Sequence, residues 1–190
     1  MDVGAPQWRN HLNSRMPEIV PRRRVLAIDL RPQRFGYAIF DGPKRLLDWG
    51  VAEYRPGGDI GAAAAQRSTA KLLGIFRPSI MVVRMAHRKT VPNSPGVKPI
   101  LRAIRRVASM HRVPVLVLTR KDVRHAFHEH HASNKYQIAS EIAAMFPELI
   151  WRLPPERKIY ESEASSMTIF DAVAVGITYW QTLADSNPEP

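Results

Sequence analysis

The chain of 190 residues contains no cysteine. Structural disulfides and thiolate zinc sites are excluded, and a reducing compartment is compatible with the sequence. No apolar run reaches the roughly 18 residues of a spanning helix. The N-terminal stretch MDVGAPQWRNHLNSRMPEIVPRRR lacks the apolar core of a secretory signal. The cytoplasm is the simplest address that these absences leave. Acid is scarce as well: 17 Asp and Glu stand against 28 Lys and Arg, giving a formal net charge of +11 and a pI near 10.5.

That imbalance favours a polyanionic partner, nucleic acid first. A basic surface with no partner would give the same total, so the pattern matters more. RRRV (22–25), RKT (88–90), RAIRR (102–106) and TRKDVR (119–124) spread the charge along the chain. The length suits one domain with a real core. Residues 1–23 hold Pro6, Pro17 and Pro21 without a sustained period and read as a loose arm. Residues 24–183 read as the domain, and 184–190 as a tail.

Within the domain the elements alternate. RVLAIDL (24–30) is a buried strand, and RFGYAIFD (34–41) is a second. DGPK (41–44) is a turn, and RLLDWGVAEY (45–54) makes a third strand, so an antiparallel meander is expected. IGAAAAQRSTAKLLGIF (60–76) reads as a helix and RPSIMVVRM (77–85) as a central strand. VKPILRAIRRVASMH (97–111) puts Ile100, Leu101, Ile104, Val107 and Ala108 on one helical face. VPVLVLTR (113–120) is a buried strand, and NKYQIASEIAAMF (134–146) a helix capped by Ser133 or Asn134. Residues 147–166 are irregular, and SMTIFDAVAVGITYWQTL (166–183) is a final apolar helix. Three antiparallel strands followed by βαβ units predict an α/β fold, a mixed sheet with helices on its faces.

This order, with Asp29 ending the first strand, resembles the RNase H-like superfamily. The similarity is greatest to RuvC-type Holliday junction resolvases and YqgF-like nucleases. It rests on LAIDLRPQRFGYAIF (26–40), IMVVRM (80–85), VLTRKDVRHAF and SNKYQIASEI within 117–142, and IFDAVAVGI (169–177). It spans about 25–180. The resemblance implies an RNase H-like mixed sheet and a metal-dependent endonuclease acting on branched or structured nucleic acid. Such chemistry gathers three or four carboxylates around two cations about 4 Å apart, and Mg²⁺ or Mn²⁺ suits the hard oxygen ligands.

Asp29 fits the first ligand; alternatively it accepts hydrogen bonds from the turn at 31–35. Asp171, one acid in the apolar stretch TIFDAVAVG, fits the last ligand; alternatively it answers the helix N-terminus. Relatives often carry an acid or His one turn before, where this chain has Thr168. Glu163, and less so Glu161, would then complete the catalytic and metal set from the preceding loop, unless they are simply solvated. The central strand departs from the pattern. Where the resemblance implies Glu, the chain has Arg84. Arginine cannot ligate a cation, and in so apolar a strand it needs a partner: Asp29, Asp171 or a phosphate.

Arg84, Arg88, Lys89, Lys121, Arg124 and Lys135 would ring the carboxylate end of the sheet and hold phosphates. Tyr37 and Trp49 could stack on bases, but core packing is the simpler role. His125, His128 and His131 are spaced to share a helical face and could take Zn²⁺ or Ni²⁺; a solvated or phosphate-facing loop is the simpler reading. Two functions follow. One is the endonuclease, with DNA favoured over RNA. The other is a catalytically degenerate nucleic-acid-binding module in which Arg84 neutralises the old carboxylate site. A homodimer through 60–76 and 97–111 is compatible with either. An actin-like sugar or acetate kinase would need glycine-rich phosphate loops, and PGG (56–58) is a poor one.

Overall fold

The computed structural model describes residues 23–54, 58–85, 97–128, 134–156 and 164–186. Five strands are present: β1 (Arg24–Leu30), β2 (Arg34–Asp41), β3 (Leu46–Glu53), β4 (Ile80–Met85) and β5 (Val115–Leu118). The helices are α1 (Gly58–Phe76), α2 (Val97–Met110), α3 (Arg120–His128), α4 (Lys135–Met145) and α5 (Met167–Ser186), with a 3-10 helix at Pro147–Arg152. The sheet order is β3-β2-β1-β4-β5. β1, β2 and β3 run antiparallel, while β4 and β5 run parallel to β1 and to each other. This is the mixed sheet that the element order predicts.

Two strands differ from the expected bounds for local reasons. β4 begins at Ile80 rather than Arg77, because Arg77 has φ 47° and Pro78 follows it. β5 is shorter than 113–120. Val113 N is taken by Ala108 O at 2.8 Å, and at the far end Thr119 caps a helix absent from the sequence reading. In that cap the Thr119 hydroxyl accepts from Asp122 N at 3.3 Å, and the Asp122 carboxylate accepts from Thr119 N at 2.6 Å. The signal was legible: Thr-x-x-Asp is a capping box. At the other end of the chain, α5 runs to Ser186, into the segment read as a tail. The arm at 1–22 and residues 187–190 lie outside the described residues.

Alternation along the strands divides the core into two layers. Leu26, Ile28 and Leu30 face one way, with Phe35, Ile39, Met81 and Val83, and pack on α1 and α2. Val25 and Ala27 face the other way, with Ala38, Phe40 and Val82, and pack on α3, α4 and α5. Tyr37 and Trp49 both pack against these layers, as the simpler reading had it. The Tyr37 hydroxyl, pushed up to about 12 by burial and by Asp48, donates to Asp48 Oδ2 at 3.3 Å.

α5 is buried from Met167 to Trp180 because it lies on the sheet itself. Two glycines let it come close. A Cβ at Gly36 would stand 2.0 Å from the Thr168 carbonyl oxygen, and one at Gly176 would stand 2.1 Å from the Phe40 ring. Gly36 also pairs with Asp29 across β1 and β2. The residue that admits the start of α5 is therefore the neighbour of the acid that ends β1.

Candidate functional site

Strand period and register assemble the site. Asp29 has the parity of Val25 and Ala27, so it points to the α5 layer. Arg84 shares the parity of Val82 and lies beside Asp29 in the parallel register. α5 then brings Asp171 from across the layer. Asp29 is 0% exposed, and Arg84 and Asp171 are each 8% exposed.

The three groups are joined. Arg84 donates to Asp29 Oδ1 from Nε at 2.9 Å and from Nη2 at 2.8 Å. The same Nη2 lies 2.9 Å from Asp171 Oδ1. Arg31 donates from Nε to Asp29 Oδ2 at 2.9 Å, and its Nη2 donates to Asp171 Oδ2. Lys135, the first residue of α4, donates from Nζ to Asp171 Oδ2 at 3.0 Å. All four carboxylate oxygens are engaged by cations. Asp29 meets two guanidinium groups there, not the turn backbone of its alternative reading.

Arg31 was not singled out from the sequence. Its signal was the two-residue spacing from Asp29, which keeps both side chains on one face of an extended chain. The turn fixes it further: Arg31 N donates to Arg34 O at 3.0 Å, and the Tyr54 hydroxyl donates to the Arg31 carbonyl.

Burial pushes both carboxyls upward, and the cations oppose it. For Asp171 burial is the largest single effect, yet Arg84, Lys135 and Arg31 together outweigh it and hold the group below the usual carboxylate range. At Asp29 burial prevails over Arg84 and Arg31, the neighbouring Asp171 adds to it, and the carboxyl is raised. Burial works against the charge on Arg84; Asp29 and then Asp171 overcome it and raise the guanidinium further.

A divalent ion does not fit this donor set. Its carboxylate ligands would have to come from oxygens that already accept from Arg84, Arg31 and Lys135. Arg84 Nη2 lies between the two carboxylates, where a shared ion would bridge them. Among the described residues no group of three or more His, Cys, Asp or Glu is placed to hold a metal. Glu163, Glu161, Arg88 and Lys89 lie outside the described residues.

Lys121 and Arg124 are exposed on α3, which starts at this same C-terminal edge of the sheet. His125 is exposed on that helix too, while His131 lies outside the described residues.

Solved structures similar to the chain include three resolvases. A T. thermophilus RuvC in complex with a Holliday junction substrate shares 19% identity, with 85% of this chain and 95% of that one covered and a TM-score of 0.66. A second T. thermophilus RuvC structure gives 19% identity, 85% and 96% coverage, and 0.65. The yeast mitochondrial Holliday junction resolvase Ydc2 gives 16% identity, 94% and 89% coverage, and 0.55. No protein-family model and no curated protein matches the chain. The fold is therefore RNase H-like, in its RuvC-type form.

Proposed function

We propose that this chain is a RuvC-type module that binds branched or structured nucleic acid, DNA before RNA, through a centre from which the divalent ion has been displaced by arginine. One observation carries the reading: Arg84, Arg31 and Lys135 lie on the carboxylates of Asp29 and Asp171. Three cations on two carboxylates leave a surplus of one positive charge. Such a centre attracts a phosphodiester, whereas a metal site must be negative to hold its ions. The partner class is supported by the net charge of +11 and by the junction DNA named for a structure of the same fold. Arg84 is the buried bridge. Lys135, about half exposed, and the exposed Lys121 and Arg124 are the phosphate contacts.

The test measures binding and cutting together, using labelled four-way junction, duplex and single-stranded DNA with Mg²⁺, Mn²⁺ or EDTA. The expected result is junction binding that survives EDTA, weakens with salt and yields no cut product. Cutting that depends on Mg²⁺ or Mn²⁺ and disappears in Asp29→Asn would overturn it.

The endonuclease reading has one observation of its own. Asp29 and Asp171 share a single nitrogen, Arg84 Nη2, so the carboxylates do face each other. Arg84→Glu turns the surplus positive charge into a surplus negative one. Calorimetry with Mg²⁺ should find affinity in that variant beyond that of the wild-type chain.

A further inference from the structure

The opposite edge of the sheet, where β1, β3, β4 and β5 begin, carries a second concentration of charge. Arg23 and Arg24 open β1, Lys44 and Arg45 lead into β3, Arg77 leads into β4 and Arg112 into β5, and all six are exposed. Main-chain bonds tie these turns to the sheet. Gly42 N donates to Arg23 O at 3.3 Å, Ser79 N to Arg24 O at 2.9 Å, and Met81 N to Pro114 O at 2.9 Å. The strand order sets the cations in a row. Four strand spacings of about 4.8 Å give it a length of about 19 Å. Against it stands one acid of these turns, Asp41, whose Oδ2 lies 3.7 Å from Arg45 Nη1. The C-terminal ends of α1 and α2 subtract roughly half a charge each. The edge stays strongly positive.

The backbone supplies a second, independent observation. Among the described residues, two that are not glycine have positive φ: Arg77 at 47° and Arg112 at 57°. Arg77 directly follows α1, Arg112 stands two residues past the end of α2, and both lie on this edge. Glycine takes that conformation without a Cβ clash and is the usual residue after a helix end. Two arginines are held there against that cost, and among the described residues neither enters an ion pair. A strained backbone in such a place points to the side chain it carries.

We infer that this edge is a second nucleic-acid surface, gripping a phosphate backbone, so that one chain bridges two segments of nucleic acid. The choice of polyanion rests on the reading of the carboxylate centre; the surface itself does not. The decisive variant is Arg77→Gly with Arg112→Gly, because it removes two cations and relieves the backbone at once. The assay captures a fluorescent duplex on a biotinylated four-way junction through the protein.

The wild-type chain should join the two. The double variant should lose the capture, keep junction binding and keep or raise its Tm. Its salt slope for duplex binding should fall by about 1.8, or about 0.9 per lost phosphate contact. Capture that persists in the double variant, or that follows the dimer fraction seen by light scattering, overturns the inference. A lower Tm with capture intact also overturns it, and leaves the arginines as helix-end residues only. Absence of capture in a wild-type chain that binds the junction sinks the bridging alone. Absence of junction binding itself sinks the reading of the centre.

Discussion

The two ends of one sheet handle charge in opposite ways. At the C-terminal end, Asp29, Arg84 and Asp171 are buried, and each is paired by contact with an opposite charge. At the N-terminal end, six cations are exposed and one carboxylate lies near them. Burial makes an ion expensive, so each buried charge must be matched by a neighbour, and the matching holds elements together. Water makes an exposed ion cheap, so the exposed row adds field and little stability. Arg84 and Arg45 are the same residue type with different work.

Substitutions sharpen this contrast. Asp29→Ala removes the acceptor of Arg84 Nε and Nη2 and of Arg31 Nε, leaving buried guanidinium charge with Asp171 alone. It should cost about 3–5 kcal/mol in a urea melt. A loss as small as that of an exposed pair would erase the distinction between the two ends.

Gly36→Ala asks whether close packing, rather than charge alone, brings Asp171 to Asp29. Its Cβ meets a backbone oxygen of α5, so the helix must shift. The expected cost is about 1–3 kcal/mol by denaturant melt.

Arg45→Ala removes the exposed partner of Asp41 at 3.7 Å. Its Tm should stay near the wild-type value, with a change within about 0.5 kcal/mol. A loss above that would mean the exposed row is structural.

A pH dependence is expected from Glu141, partly buried on α4, whose carboxyl is pushed up by burial to about 7 from 4.5. The folded state then holds the proton longer than the unfolded one, so stability falls as pH rises from 4.5 to 7 and levels above. Glu141→Gln should lack this fall, as thermal melts of both proteins across that window will read.

Much of the frame was legible beforehand. β1 and β2 showed as apolar runs around a turn, and the final helix showed as an apolar stretch with one acid. Strand period and the meander sufficed for a mixed sheet. The helix α3 was missed because its segment is polar and histidine-rich, although Thr119 and Asp122 announced its cap. Arg31 was missed because a charged residue after a strand looks like any turn residue.

By itself the sequence determined that an acid ends the first strand, that an arginine stands on the central strand and that an acid enters the last helix. Alternation is local physics, so it could also assign Asp29 and Arg84 to faces of their own strands. Only the tertiary structure decided that those faces coincide. The parallel register sets Asp29 beside Arg84. The missing side chain at Gly36 lets α5 approach, and α4 begins where Lys135 reaches Asp171. The charge of the centre is a sum over five residues from five places in the chain. Its sign emerged only when packing brought them within contact distance.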